Sequence, residues 1–458
     1  MSASTHFRTY DLDQLTFLPV DIRQWLPDDH LVYFLMDLVD TLDLQEFFLD
    51  YSDGSSGGRP PYHPKMLVNL LLYAYSTGMP SSRKIEKATY EIVPYRVLSG
   101  GQHPDHDTIC SFRQKHLPTL SRLFVQILAL CKKAGLVKLG HVCLDSTKVK
   151  ANASKHKAMS YGRMEEKADQ LQAEVDRLLA EAEATDAAED ALYGEGNRGD
   201  ELPKELRFRE SRLKKIREAK AELEAEAAAE YPRKKAEYEE KVENRKRRGG
   251  RGRKPKPPSK EPDSKQQRNF TDPDSRIMVS DKTVVQAFNC QAAVDAETQI
   301  IVAAEVTQDE NDKHQIDPMV EKIKANTGGE KPDRLIADTG YFTEDNVECL
   351  QTEEIDAYIA TKKVKHSEAP VPCPRGRIPK SATVKERMDR KLRTIKGRGT
   401  YAKRKVTSEP VFGQIKEARG FRRFSFRGLP KVKDEWTLVC LSHNILKLFR
   451  SGWVPNPA

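Results

Sequence analysis

Cysteine is scarce in this chain: seven residues in 458, an odd number, with no C-x-x-C pair among them. That speaks against a disulfide framework and against a zinc ribbon. Long apolar runs are missing too. The longest, Leu67 to Ala74, is interrupted by Asn69 and falls far short of the ~20 residues that span a bilayer. No N-terminal stretch has the charged, apolar, small-residue order of a signal peptide. These absences point to a cytoplasmic protein of a reducing compartment with no membrane partner. Apolar residues make up 38% of the chain, enough for at least one core, and charged residues 32%, so some segment must be strongly polar. The length suggests about three domains.

Charge is unevenly spread. From Lys362 to Arg450 there are 25 Lys/Arg against 7 Asp/Glu, a net +18, whereas the whole chain carries only +8. A concentration of that size calls for a polyanion, and nucleic acid is the default partner. Phe421, Phe424 and Phe426 alternate with Arg422, Arg423 and Arg427, a pattern unlike a plain solvated tail.

Periodicity divides the chain. Residues 1–135 read as helical: Leu31, Phe34, Leu35 and Leu38 make an amphipathic stripe, and a second helix runs from Pro64 to Thr77. Gly78-Met79-Pro80 breaks it, and Ser81 or Ser82 caps a third helix, SRKIEKATYE. Helix, short turn, helix is the pattern of a helix-turn-helix unit, common also in ordinary bundles. Asp107 is the expected cap of the next helix. His103, Asp105, His106 and Asp107 crowd around Pro104, where turn and capping chemistry explains them better than a metal does.

Near residue 136 the period shortens to that of strands. GHVCLDSTKV, KTVVQAFNCQAAV and QIIVAAEV read as three consecutive strands. A helix beginning near Asp312 follows, with Ile316, Met319, Val320 and Ile323 on its inner face. RLIADTGY and AYIAT are further short strands, and a basic helix closes the series. That is the order of a ribonuclease H-like α/β core, here over 136–159 and 276–450. Between the two parts, Met164, Ala168, Leu171, Val175, Leu178 and Ala182 step by 4 and 3, as in a coiled-coil seam. Leu206, Leu213, Ile216, Leu223 and Ala227 restart the pattern after YGEGNRGDELP. The expectation is a helical-hairpin insertion over 160–243, then a basic disordered linker over 244–275, since Arg245 to Lys260 holds 9 basic residues in 16 and no acid.

Metal-assisted phosphodiester chemistry needs hard oxygen ligands for Mg2+, and two ions about 4 Å apart serve the attacking and leaving oxygens. Three carboxylates from separate elements are the minimal cage. Asp145 lies on the first strand and Asp338 ends the fourth, its neighbour in such a fold. Glu409 is the third candidate. Thr407 or Ser408 is expected to cap a helix there, placing Glu409 in the first turn, at the positive end of the dipole. The plainer readings are a turn-forming Asp and a dipole-compensating Glu.

LDSTKVKANAS, IADTGYFTEDNV and YAKRKVTSEPVFGQIKEARGFRRFSF together resemble the three catalytic blocks of DDE-type transposases of bacterial insertion sequences. GRPPYHPKMLVNLLLYAYSTGMPSSRKIE and PDHDTICSFR resemble the helical domain that precedes those blocks. The resemblance covers both ends and most of the middle. It implies Asp145, Asp338 and Glu409 as catalytic and metal-holding residues, two Mg2+ ions with Mn2+ as a substitute, and DNA contacts through Tyr401, a basic residue and Lys416, with Arg422 and Arg423 beside them. The spacing departs from the usual pattern by one residue, so the basic role falls to either Arg404 or Lys405. The implied partners are double-stranded DNA, as the element's terminal inverted repeats and as target, and a second copy of the chain when assembled on DNA near the nucleoid. A catalytically inactive or domesticated DNA-binding relative is the alternative. A coiled-coil interaction protein would explain only the insertion.

Overall fold

The computed structural model describes residues 21–49, 51, 61–154, 157–193, 204–247, 254–280, 283–362 and 371–455. The expected break at 194–203 and the middle of the basic run, 248–253, lie outside them.

Six helices come first: α1 (Leu31–Asp40), α2 (Pro64–Ser76), α3 (Ser82–Glu91), α4 (Val93–Leu98), α5 (His106–Lys115) and α6 (Leu117–Lys133). α1 buries Val32, Leu35, Leu38 and Val39, so its inner stripe is turned slightly from the expected one. α2 is buried on every side, which explains why it reads as the longest apolar run. Gly78 follows it at φ 78°, and a Cβ there would meet the Arg419 carbonyl oxygen at 2.5 Å, so only glycine fits. The cap of α5 is Asp105, not Asp107: its Oδ1 accepts from the Thr108 amide at 2.7 Å. His103 stacks on Tyr90 and His106 pairs with Glu86, which leaves this cluster to local structure.

The sheet begins with β1 (Val142–Lys150). Then come β2 (Ala158–Ser160), α7 (Tyr161–Tyr193), α8 (Lys204–Arg247), β3 (Gln267–Asn269), β4 (Arg276–Ser280), β5 (Thr283–Asp295), β6 (Ile301–Thr307), α9 (Ile316–Thr327), β7 (Arg334–Ala337), α10 (Glu344–Thr352), β8 (Asp356–Ile359), α11 (Val384–Arg393), α12 (Ile395–Gly413) and α13 (Leu429–Arg450). The main sheet has the order β4-β5-β1-β7-β8, with β6 also paired to β5. β5 runs antiparallel to β1, β4 and β6, whereas β1, β7 and β8 are mutually parallel. α9 buries Ile316, Met319, Val320 and Ile323, as its periodicity predicts.

α13 is the element that joins the halves. It buries Val432, Trp436, Leu438, Val439, Leu441, Ile445 and Leu448 and packs on α2, α6 and β6. One continuous apolar cluster therefore runs from Val32 to Leu448. The helical N-terminal region shares its core with the sheet and does not pack as a separate unit.

α7 and α8 meet over Tyr161, Met164, Leu171, Leu213, Ile216, Ala219 and Leu223. Their polar pairs run in opposite senses, Tyr161 with Glu224, Glu165 with Lys220 and Glu174 with Arg209. The basic stretch after them differs from expectation. α8 continues to Arg247, and within 254–275 strand β3 pairs antiparallel with β2. Arg268 on β3 is buried against Glu222 and Glu226 of α8. A folded partner for its charge is what turns this part of the expected linker into structure.

Candidate active site

β1 and β7 lie side by side in parallel, Leu144 opposite Ala337. One residue further along, the strands present Asp145 and Asp338. The β7 chain ends there because Asp338 folds back as a cap, its Oδ1 accepting from the Gly340 amide at 2.7 Å. Asp145 is buried and heavily engaged. Its Oδ2 accepts from Arg404 Nη1 at 2.8 Å and from the Ser408 hydroxyl at 2.7 Å, and its Oδ1 from the Ser146 amide at 2.9 Å. Burial raises its pKa, while the guanidinium and these hydrogen bonds oppose the rise.

Arg404 and Ser408 come from α12, which crosses the sheet here, and their spacing of one helical turn puts both on the face toward Asp145. Between the carboxylates of Asp145 and Glu409 stands the same guanidinium, with Nη2 3.9 Å from Glu409 Oε1. Glu409 itself is 58% exposed. Its helix differs from expectation. α12 starts at Ile395, capped by Thr394, so Glu409 lies near the C-terminal end and gains nothing from the positive end of the dipole. Ser408 binds Asp145 and does not cap. Pro410, a residue suited to a helix start, cannot donate to the Val406 carbonyl. Gln299, in the turn between β5 and β6, donates to it at 2.8 Å, and the helix runs through.

After Gly413 the helix widens into a π turn over Gln414–Ala418, which contains Lys416. Lys416 Nζ donates to the Lys148 carbonyl of β1 at 2.9 Å. Tyr401 is half-buried against Cys143, Ile336 and Tyr358. Burial raises its phenol pKa, with Arg404 acting the other way. Of the two basic candidates, Arg404 enters the site and Lys405 is exposed. Arg422 and Arg423 are exposed on a ribbon fastened to the end of β1 by Lys150–Arg422 and Phe424–Lys150 backbone bonds. Phe421, Phe424 and Phe426 turn inward, so the aromatic residues anchor the ribbon while the arginines face out.

Residues not singled out in the sequence complete the surroundings. Asp312 precedes α9, which begins only at Ile316, and accepts from Asn289, Gln291 and the Ser146 hydroxyl. Burial lowers the pKa of the Lys148 ammonium, with Asp312 opposing. The available signal was two amides at i and i+2 within the apolar β5, which mark one polar face.

The transposase domain (DUF772) family model matches residues 20–115, and the transposase DDE domain model matches residues 272–445. The chain belongs to the DDE-type transposases. Membership carries DNA binding and nucleic-acid cleavage with it, and the DDE domain implies a ribonuclease H-like fold and a divalent metal. Asp338 and Glu409 fall within the DDE match, and Asp145 precedes it. No curated protein and no solved structure matches the chain. No helix among the described residues is long and apolar enough to cross a membrane.

The side chains suit a divalent cation in donor type, being hard carboxylate oxygens. Gly340 leaves the approach to Asp338 open, since a Cβ there would stand 3.0 Å from its Oδ1. As they stand, no three ligand-type side chains among the described residues converge closely enough to enclose an ion, because Arg404 engages Asp145 and Glu409 faces solvent.

Proposed function

We propose that this chain is the transposase of an insertion sequence, binding the element's terminal inverted repeats and carrying out strand cleavage and strand transfer with Asp145, Asp338 and Glu409. The observation that carries the reading is the parallel β1–β7 pair, which sets Asp145 beside Asp338, with the Glu409 helix fastened to Asp145 through Arg404 and Ser408. Two divalent cations, Mg2+ with Mn2+ as a substitute, would be held by these three carboxylates and would supply Lewis-acid stabilisation of the charge that develops on the phosphodiester.

The protein's own part is to hold and release. Arg404 keeps Asp145 neutralised until a DNA phosphate arrives beside it and competes for the guanidinium, freeing Oδ2. Arg guanidinium suits that exchange, because its fork matches carboxylate and phosphate alike. Lys416 braces β1 through the Lys148 carbonyl and adds positive charge near the strand end. Arg422 and Arg423 supply phosphate contacts that position DNA without reading it. α3 presents Arg83, Lys84 and Lys87 outward and is assigned to the repeat. The α7–α8 pair is read as an inserted hairpin arm that assists assembly of two protomers on paired ends.

A Mg2+-dependent nicking assay on supercoiled DNA bearing the element ends tests the assignment. Asp145→Asn, Asp338→Asn and Glu409→Gln should each abolish cleavage and leave DNA binding intact. Wild-type cutting by any one of them removes that residue from the cage. A parent protein that binds the ends and never nicks them establishes the inactive-relative alternative.

A further inference from the structure

Asp312 is tied into the site more firmly than Glu409. Asn289 Nδ2 and Gln291 Nε2 donate to its Oδ1 at 2.8 and 2.7 Å, and the buried Tyr341 hydroxyl in turn holds Gln291. Its other oxygen, Oδ2, accepts from the Ser146 hydroxyl at 3.1 Å, next to Asp145. Beyond Ser146 that oxygen fronts Asp338. A Cβ on Gly340 would lie 3.0 Å from Asp338 Oδ1 and 3.1 Å from Asp312 Oδ2, so both carboxylates face one bare Cα.

Two neighbouring atoms lack partners. Asn289 is fully buried, its amide donating to Asp312 and to the Asp309 carbonyl, and its own Oδ1 accepts no hydrogen bond. Lys148, opposite Asn289 in the β1–β5 register, has an enclosed Nζ that donates none. Buried polar atoms without partners are few in native proteins, and each calls for an explanation such as a water, an ion or a catalytic role. A spare acceptor and a spare ammonium beside two carboxylates match a hydrated cation that carries a phosphate oxygen. A purely structural brace would account for the two amides on Oδ1. It would not account for Oδ2 facing Asp338, or for the spare atoms.

Resting on the DDE reading above, we infer that Asp312 is a fourth carboxylate of the centre, meeting the same divalent cation as Asp338 across Gly340. The side chain at 340 is absent because a methyl group would press on both oxygens.

The test is Mn2+ binding to the metal-free full-length chain without DNA, followed by electron paramagnetic resonance, with melting temperature recorded for each variant. Asp312→Asn should weaken binding roughly 10–100-fold. Gly340→Ala removes no carboxylate and its backbone is ordinary, yet it should weaken binding by a comparable factor. Asp295→Asn, six residues along β5 from Asn289 and held by backbone amides of the neighbouring turns, should lower the melting temperature and leave Mn2+ affinity unchanged. Parent-like binding by Asp312→Asn overturns the inference, and if that variant does not fold, parent-like binding by Gly340→Ala overturns it instead. Asp338→Asn separates the two levels. If it also binds as the parent does, the DDE reading fails. If it alone loses Mn2+, only the fourth carboxylate fails.

Discussion

The β1–β5 ribbon carries two buried aspartates, Asp295 at its first pair and Asp145 three pairs further along, and the two are wired differently. At one end Asp295, opposite Val142, accepts from the backbone amides of Lys138 and Leu139 on Oδ2 and of Glu297 on Oδ1. Asp145, opposite Ala292, takes one backbone amide and leaves the rest to the side chains of Arg404 and Ser408. Backbone donors cannot leave without unfolding the turn that carries them. Side-chain donors can rotate away. A carboxylate that closes a turn is held by the first kind, and one that must change partners by the second.

The largest effect that follows concerns chemistry. Asp145→Asn should lower the cleavage rate about 1,000-fold or more, since loss of several kcal/mol of charge stabilisation corresponds to about that factor. Asp295→Asn should cleave at the parental rate below its melting temperature. Equal losses in the two variants would erase the distinction.

Next comes stability. Asp295→Ala takes this acceptor from the amides of Lys138, Leu139, Glu297 and Thr298, at about 1–3 kcal/mol for each one left unsatisfied, so denaturant unfolding should show a loss of about 3 kcal/mol or more. Asp145→Asn should lose less, because Ser408 can still donate to the amide oxygen. A third effect lies in the turn after Asp295, whose Gln299 carbonyl accepts from Nε2 of buried His443. Burial lowers the His443 pKa to about 3 from the ordinary 6.5. The unfolded chain therefore takes up a proton below 6.5 that the folded chain refuses, and stability falls as pH drops from about 6.5 toward 3. Between pH 6.5 and 5 the loss from this group is roughly 2 kcal/mol. His443→Gln should flatten that part of a melting-temperature profile. The smallest effect is that of Gln299→Ala, which strips the Val406 carbonyl of its donor. Thermal unfolding should register about 1 kcal/mol, and cleavage should drop severalfold as the Glu409 turn loosens.

Much of the fold is legible where the signal is local. The inner face of α9 follows from spacing alone, and the strands holding Asp145 and Asp338 follow from their β-branched and apolar runs. The path of α12 was not legible. Pro410 argues for a helix start, and the group that lets the helix continue, Gln299, is more than a hundred residues away. The Asp312 loop fails for the same reason, since its three donors come from β1 and β5. Arg268 shows it from the opposite side: a basic stretch reads as unfolded until Glu222 and Glu226 are brought to it. The three proposed carboxylates are picked out by their motifs. What grips them, and from which helix position, depends on contacts that no window of sequence contains.

The Asp145–Asp338 pair also has a history in time. About 190 residues separate the two, and β1 needs both β5 and β7 before its edges are covered. At roughly 5–20 residues per second, synthesis takes about 10–40 s to travel from one aspartate to the other. For that interval the nascent chain displays the first aspartate of the proposed pair on a strand with both edges open, the condition most prone to wrong pairing. The long helical segment between β1 and β5 lengthens the wait while adding little to the closure entropy, which rises only about 0.6 kcal/mol per doubling of loop length. On the proposed assignment, cutting competence arrives late and all at once, when the last strands dock.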